Sequence, residues 1–136
     1  MSDEHIHASA VRYVLAGLAP PLLIAVGAFV GANLRFAVGA GLPGLAGTLA
    51  ANVVGSVALG LLLYRGTFAG RLSQKTRLLV GTGALSSFTT YSTFLLDAVG
   101  AGPLVALMYV VTTYALGFAG VVVGREIARS LAGGEE

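Results

Sequence analysis

GLAGTLAANVVGSVALGLLLY, residues 44–64, runs for 21 positions without a charged side chain. A hydrocarbon core about 30 Å thick is crossed by a helix of roughly 20 apolar residues, so this stretch has the length of one membrane span. It shows no alternation of apolar and polar residues, which leaves a helix as the spanning form. Further runs of the same kind lie outward from it at residues 21–40, 78–100 and 103–124, interrupted only by Arg35 near the end of one and Asp97 at the far end of another. The sequence therefore predicts an all-α integral membrane protein with four transmembrane helices and a membrane domain over residues 21–124. Residues 1–20 read as an N-terminal tail whose apolar stretch at residues 11–19, around Arg12, either extends the first helix or lies at the interface, with Pro20 and Pro21 as a helix start or kink, and residues 125–136 read as a C-terminal tail. The first residues carry Asp3, Glu4, His5 and His7, where a secretory signal would carry basic residues.

Composition agrees with a multi-pass protein of a cell membrane. The chain is 56% hydrophobic and 10% charged, against about 25% charged in soluble domains. Twenty glycines without a Gly-X-Y period suit helices that pack backbone to backbone in lipid. The absence of cysteine excludes disulfides, a thiol nucleophile and thiolate-bound metal. A net charge of +2 drawn from few charges is no footprint of nucleic acid.

Polar groups inside a bilayer need partners, so their positions are informative. Thr48, Asn52, Ser56 and Gly60 recur every four residues and form one row on a helix face. Such a row is either a packing seam or the wall of a polar path. Residues 86–93 hold six Ser and Thr hydroxyls: Ser86, Ser87, Thr89, Thr90, Ser92 and Thr93. Hydroxyls at this density can bond back to the backbone and open a helix, freeing carbonyl oxygens that are cation ligands. Tyr109, Thr113 and Gly117 make another four-residue row, and Gly27 with Gly31 makes a small-xxx-small pair. Arg35 reads either as a side chain that snorkels to the interface or as a group at a pore mouth. No Ser-His-Asp set, HExxH, phosphate-cradling loop or pair of carboxylates at depth is present, so no enzyme is expected.

Three segments together resemble the Fluc (CrcB) family of fluoride channels: GAFVGANLRF at residues 27–36, TLAANVVGSVALG at residues 48–60 and FTTYSTF at residues 88–94. The resemblance implies a third helix broken at mid-membrane and an antiparallel dual-topology dimer. It also implies passive export of fluoride and a structural sodium ion held by main-chain carbonyls of both chains. By position it makes Asn52 the pore-lining amide with Thr48 one turn away, and Tyr91 and Phe94 the paired aromatics with Ser92 and Thr93 between them. Tyr109 and Thr113 would continue the polar track, and Ser86 and Thr89 would offer sodium-binding carbonyls. The chain departs from the family's pattern at Ser86 and Ser87, where Gly-Gly is usual, and at Tyr91, where Phe is usual.

The residue chemistry suits that function. Fluoride is small and strongly hydrated, so an amide and hydroxyls must replace its water, and an aromatic edge can face an anion. No Lys or Arg lies in the middle of a span, where it would hold an anion too tightly. A small multidrug-type transporter would need a carboxylate in the first span, and none occurs at residues 21–40. A non-transporting membrane assembly subunit would explain the glycines but not the hydroxyl and aromatic cluster. Four spans place Arg12, Arg65, Arg71, Lys75, Arg77, Arg125 and Arg129 on one side and only Arg35 on the other. That is a positive-inside bias toward one orientation. It points to pairing with an oppositely oriented paralogue as the alternative to a homodimer.

Overall fold

The computed structural model describes residues 3–65 and 72–133, the side chains of 3–16 and 133 excepted, and every regular element among them is helical. The elements are α1 (Asp3–Gly41), α2 (Leu45–Leu63), α3 (Gln74–Thr76), a π-helix (Arg77–Leu85), α4 (Ser86–Phe88), α5 (Tyr91–Gly100) and α6 (Pro103–Gly133). Among the described residues, three stretches are long and apolar enough to cross a membrane: Gly17–Gly41, Leu45–Leu63 and Pro103–Ala132. The chain is a multi-pass membrane protein.

Two boundaries differ from the sequence reading. The expected N-terminal tail is helical from Asp3 onward and continuous with the first span, so of the two readings of residues 11–19 the extension of the first helix holds, and Pro20 and Pro21 lie inside that helix. Residues 8–19 are rich in alanine and leucine, the strongest helix formers. Each proline leaves only the carbonyl four residues earlier without its donor, a loss that membrane helices tolerate. The expected C-terminal tail likewise continues α6 as far as Gly133. The readings of His5, His7 and Arg12, and residues 66–71 of the basic connector with Arg71, lie outside the described side chains or residues.

The region read as the third span is not one helix. Ser73 caps α3 by accepting the Thr76 N–H at 3.1 Å. The π-helix follows, then one turn of α4, and then Thr89 and Thr90 in extended conformation at φ/ψ of −77°/155° and −147°/123°. Thr90 starts α5 as its N-cap, its hydroxyl oxygen accepting the Thr93 N–H at 3.2 Å. Pro103 opens α6 at the position where a missing N–H is harmless. The one positive φ among the described residues is at Gly44, 72°, which begins α2 after the turn from α1.

Two glycine seams hold the bundle together. The most extensive pairings are α2 with α6 and α1 with the π-helix. On α1, a Cβ at Gly27 would strike the Leu79 carbonyl oxygen, and one at Gly31 would strike that of Ala84. On the other seam a Cβ at Gly60 would meet the Val121 carbonyl, and one at Gly124 that of Val57. Backbones approach this closely only where no side chain intervenes. Gly27→Leu is therefore expected to cost about 3 kcal/mol or more, the upper end for overpacking. It should sharply lower the melting temperature of the protein in detergent. Gly17→Leu, placed where nothing lies within 4 Å, should leave that temperature essentially unchanged, and equal effects of the two variants would contradict the seam.

Candidate functional site

The polar row on α2 is tied to the residues after the π-helix. Asn52 makes two hydrogen bonds to one residue: its Nδ2 donates to the Thr90 carbonyl at 3.0 Å, and its Oδ1 accepts the Thr90 N–H at 2.8 Å. An amide has two N–H groups, and Thr90 takes only one of them. Ser56 donates to the Asn52 carbonyl at 2.8 Å. One turn the other way, Thr48 donates to Asp97 Oδ2 at 2.6 Å, so its proton is already engaged. Thr90 Oγ1 in turn donates to Thr93 Oγ1 at 3.0 Å, which leaves the Thr93 hydroxyl proton available to a ligand.

Two hollows flank this clamp, and Thr90 borders both. The larger, about 530 Å³, lies among α2, α6 and the residues around Thr89 and Thr90. Its wall includes Asn52, Ser86, Thr89, Tyr91, Phe94 and Thr113, all named from the sequence, together with Tyr114 and Phe118. None of the lining residues is charged. The Thr113 hydroxyl is buried without a hydrogen-bond partner. The smaller hollow, about 310 Å³, brings Arg35 to Thr48, Thr90 and Thr93. The Arg35 Nε is buried without a hydrogen-bond partner.

Phe94 is the centre of an aromatic cluster and is buried at 4% exposure. Its ring centroid lies 5.9 Å from Tyr91, 5.3 Å from Tyr109 and 5.9 Å from Tyr114, the last in an edge-on arrangement at 88°. Such contacts hold a ring in one orientation. Tyr109 packs behind Phe94 with Ala98 and lines neither hollow. Its hydroxyl is buried without a hydrogen-bond partner. Tyr91 is exposed, and Ser92 is exposed and also lines neither hollow.

Ser86 and Thr89 bend their side chains back to the main chain. The Ser86 hydroxyl donates to the Thr82 carbonyl, and Thr89 Oγ1 donates to the Leu85 carbonyl at 3.0 Å. Ser86 has φ −67° and ψ −26°, and among the described residues none other than glycine has a positive φ. The interruption after α4 thus uses backbone angles open to any residue, and serine in place of glycine strains nothing there.

Three participants escaped the sequence reading as site residues: Thr90, Asp97 and Tyr114. Thr90 had a signal, a threonine directly ahead of a helical stretch, which is an N-cap pattern. Asp97 is a half-buried carboxylate that binds a hydroxyl 49 residues earlier in the chain. Nothing local announces such a pairing.

Helices of membrane-spanning length around an uncharged cleft walled by an amide, hydroxyls and aromatic rings define a multi-pass membrane protein with a polar hollow among its helices. Residues 22–125 match the family model described as CrcB-like protein, Camphor Resistance (CrcB). The chain belongs to this family, whose named relatives are channels and not enzymes. It is 50% identical over 134 residues to "Fluoride-specific ion channel FluC 1" of Haloarcula marismortui, covering 98% of each chain. It is 52% identical over 112 residues to "Fluoride-specific ion channel FluC 2" of Halobacterium salinarum, covering 82% of this chain and 88% of that one. A bacterial relative, "Fluoride-specific ion channel FluC" of Roseiflexus sp., is 41% identical over 122 residues, covering 81% and 97%.

Proposed function

We propose that this chain forms a fluoride-selective channel that lets cytoplasmic fluoride leave the cell passively. The observation that carries the reading is the uncharged cleft lined by Asn52, which has an N–H to spare, by Thr113, whose hydroxyl has no partner, and by Tyr91 and Phe94. A small anion that sheds water there finds donors and ring edges but no fixed cation to trap it. Arg35, with the free proton of Thr93 beside it, gives the smaller hollow the character of a mouth that attracts anions. Thr48 supports this path through its bond to Asp97 more than it donates to the ion. The names of the relatives supply the identity of the anion.

In this reading the interruption at Thr89 and Thr90 is the break of the third membrane helix at mid-membrane. A structural sodium ion, not transported, fits the donor set there. Hard cations take oxygen ligands, and the carbonyls of Ser86 and Thr89 have each lost the N–H that a continuous helix would supply. The ion would neutralise those carbonyl dipoles and hold two chains together. The second chain is an antiparallel copy of this one or an oppositely oriented paralogue. Broad exposed apolar surface on α1 and α6, including Phe29, Phe36, Leu104 and Phe118, suits lipid and such a partner.

Liposomes reconstituted with this chain alone test the reading. Fluoride efflux, followed with a fluoride electrode, should exceed chloride efflux by about a hundredfold or more, because losing one good donor contact to a charged group costs ~2–3 kcal/mol. Equal fluxes of the two ions would overturn the selectivity. Flux that appears only after an oppositely oriented relative is added would establish the paralogue pairing in place of the homodimer.

A further inference from the structure

We propose that Asn52 and Thr90 are positioning residues that create the cation site by diverting the two backbone N–H groups which would otherwise occupy the carbonyls of Ser86 and Thr89. The inference rests on the sodium reading above and concerns this chain's own hydrogen bonds.

An uninterrupted helix would bond the Thr90 N–H to the Ser86 carbonyl and the Thr93 N–H to the Thr89 carbonyl, four residues back in each case. Here the Thr90 N–H is held by Asn52 Oδ1 at 2.8 Å, and the Thr93 N–H by Thr90 Oγ1 at 3.2 Å. The same amide also binds the Thr90 carbonyl, so Asn52 satisfies both main-chain groups of the residue that leaves the helix. Thr90 is 9% exposed, so neither group could turn to solvent instead. The diverted donors correspond one to one with the two carbonyls named from the sequence. Glycine is not needed to open the chain, since Ser86, Thr89 and Thr90 all have ordinary backbone angles. What opens it is the pair of competing acceptors, one brought by α2 and the other by the N-cap.

The consequence is a coupling. Asn52 lines the anion cleft, keeps one N–H unused by Thr90, and maintains the cation site with the rest of its amide. Removing either acceptor returns an N–H to its helical carbonyl and withdraws that oxygen from a cation.

The test measures cation binding apart from transport. The melting temperature of the purified full chain in detergent is followed as sodium replaces N-methylglucamine at constant ionic strength. The wild type should be stabilised as sodium rises, since a ligand that binds only the folded state raises its stability. Asn52→Leu and Thr90→Val, which keep the side-chain volume but lose the acceptors, should raise the half-saturating sodium concentration at least about tenfold. Thr90→Ser, which keeps the hydroxyl, should restore the wild-type value. Unchanged sodium dependence in either folded variant overturns the proposal while leaving the sodium reading intact. A wild type with no sodium dependence overturns both, whatever its fluoride flux. Should Asn52→Leu fail to fold, Thr90→Val with its serine rescue carries the same expectation alone.

Discussion

Asn52→Asp is expected to cut fluoride flux roughly a thousandfold in liposomes, with the protein still extracted and folded. The variant replaces the amide that faces the cleft by a carboxylate. An anion arriving about 4 Å from that charge meets a repulsion of ~4 kcal/mol at an effective dielectric constant near 20. That energy corresponds to about a thousandfold in rate. A second effect acts in the same direction. The Thr90 carbonyl loses its donor and faces a negative oxygen at the distance now occupied by Nδ2, 3.0 Å. Asn52→Ala, which removes the donor without adding charge, should lose much less flux than Asn52→Asp. Flux at the wild-type level in folded Asn52→Asp would remove Asn52 from the anion path.

Phe94→Ile should reduce fluoride flux by about thirtyfold while leaving the oligomeric state in detergent unchanged. Isoleucine is apolar and fills part of the same buried position, so packing beside Tyr109 and Ala98 survives in part. The ring edge, the positive part of the aromatic quadrupole, is lost. If that edge stands in for a hydrogen bond to the ion, its removal costs about 2 kcal/mol. Tyr91→Phe provides the contrast. It keeps the ring 5.9 Å from Phe94 and removes only an exposed hydroxyl, so flux should stay within about twofold of wild type. Loss of transport in Tyr91→Phe together with normal transport in Phe94→Ile would assign the work to the hydroxyl and not the rings. Both measurements need only the electrode assay and a sizing column.

The positions of the membrane segments were legible because lipid imposes a length and a polarity that each segment must satisfy by itself. The seam of Gly27 and Gly31 was legible for a related reason. Residues four apart share a helix face, and small ones there allow backbone contact. The same period put Thr48, Asn52 and Ser56 in a row, and the motifs at residues 48–60 and 88–94 carried the family. Extension of the first helix over residues 11–19 was one of two readings left open there, whereas its continuation to Asp3 and that of α6 to Gly133 were missed because the charges at both ends were read as boundaries. In α1 the run of good helix formers outweighed them.

Which partner each polar group takes is a different kind of information. The row on α2 was open between a seam and a path, and the structure shows each member with its own assignment: Thr48 to Asp97, Asn52 to Thr90, Ser56 to the Asn52 carbonyl. The first two bonds join residues 49 and 38 positions apart. No periodicity of a single segment contains them. The same holds for Phe94, whose ring is oriented by two tyrosines of α6. It holds as well for the π-helix and the extended pair Thr89 and Thr90. Whether an N–H bonds four residues back, five, or outside the helix depends on which acceptors compete for it. At Thr90 the winning acceptor belongs to α2 and reaches it only once the two seams have brought the helices together.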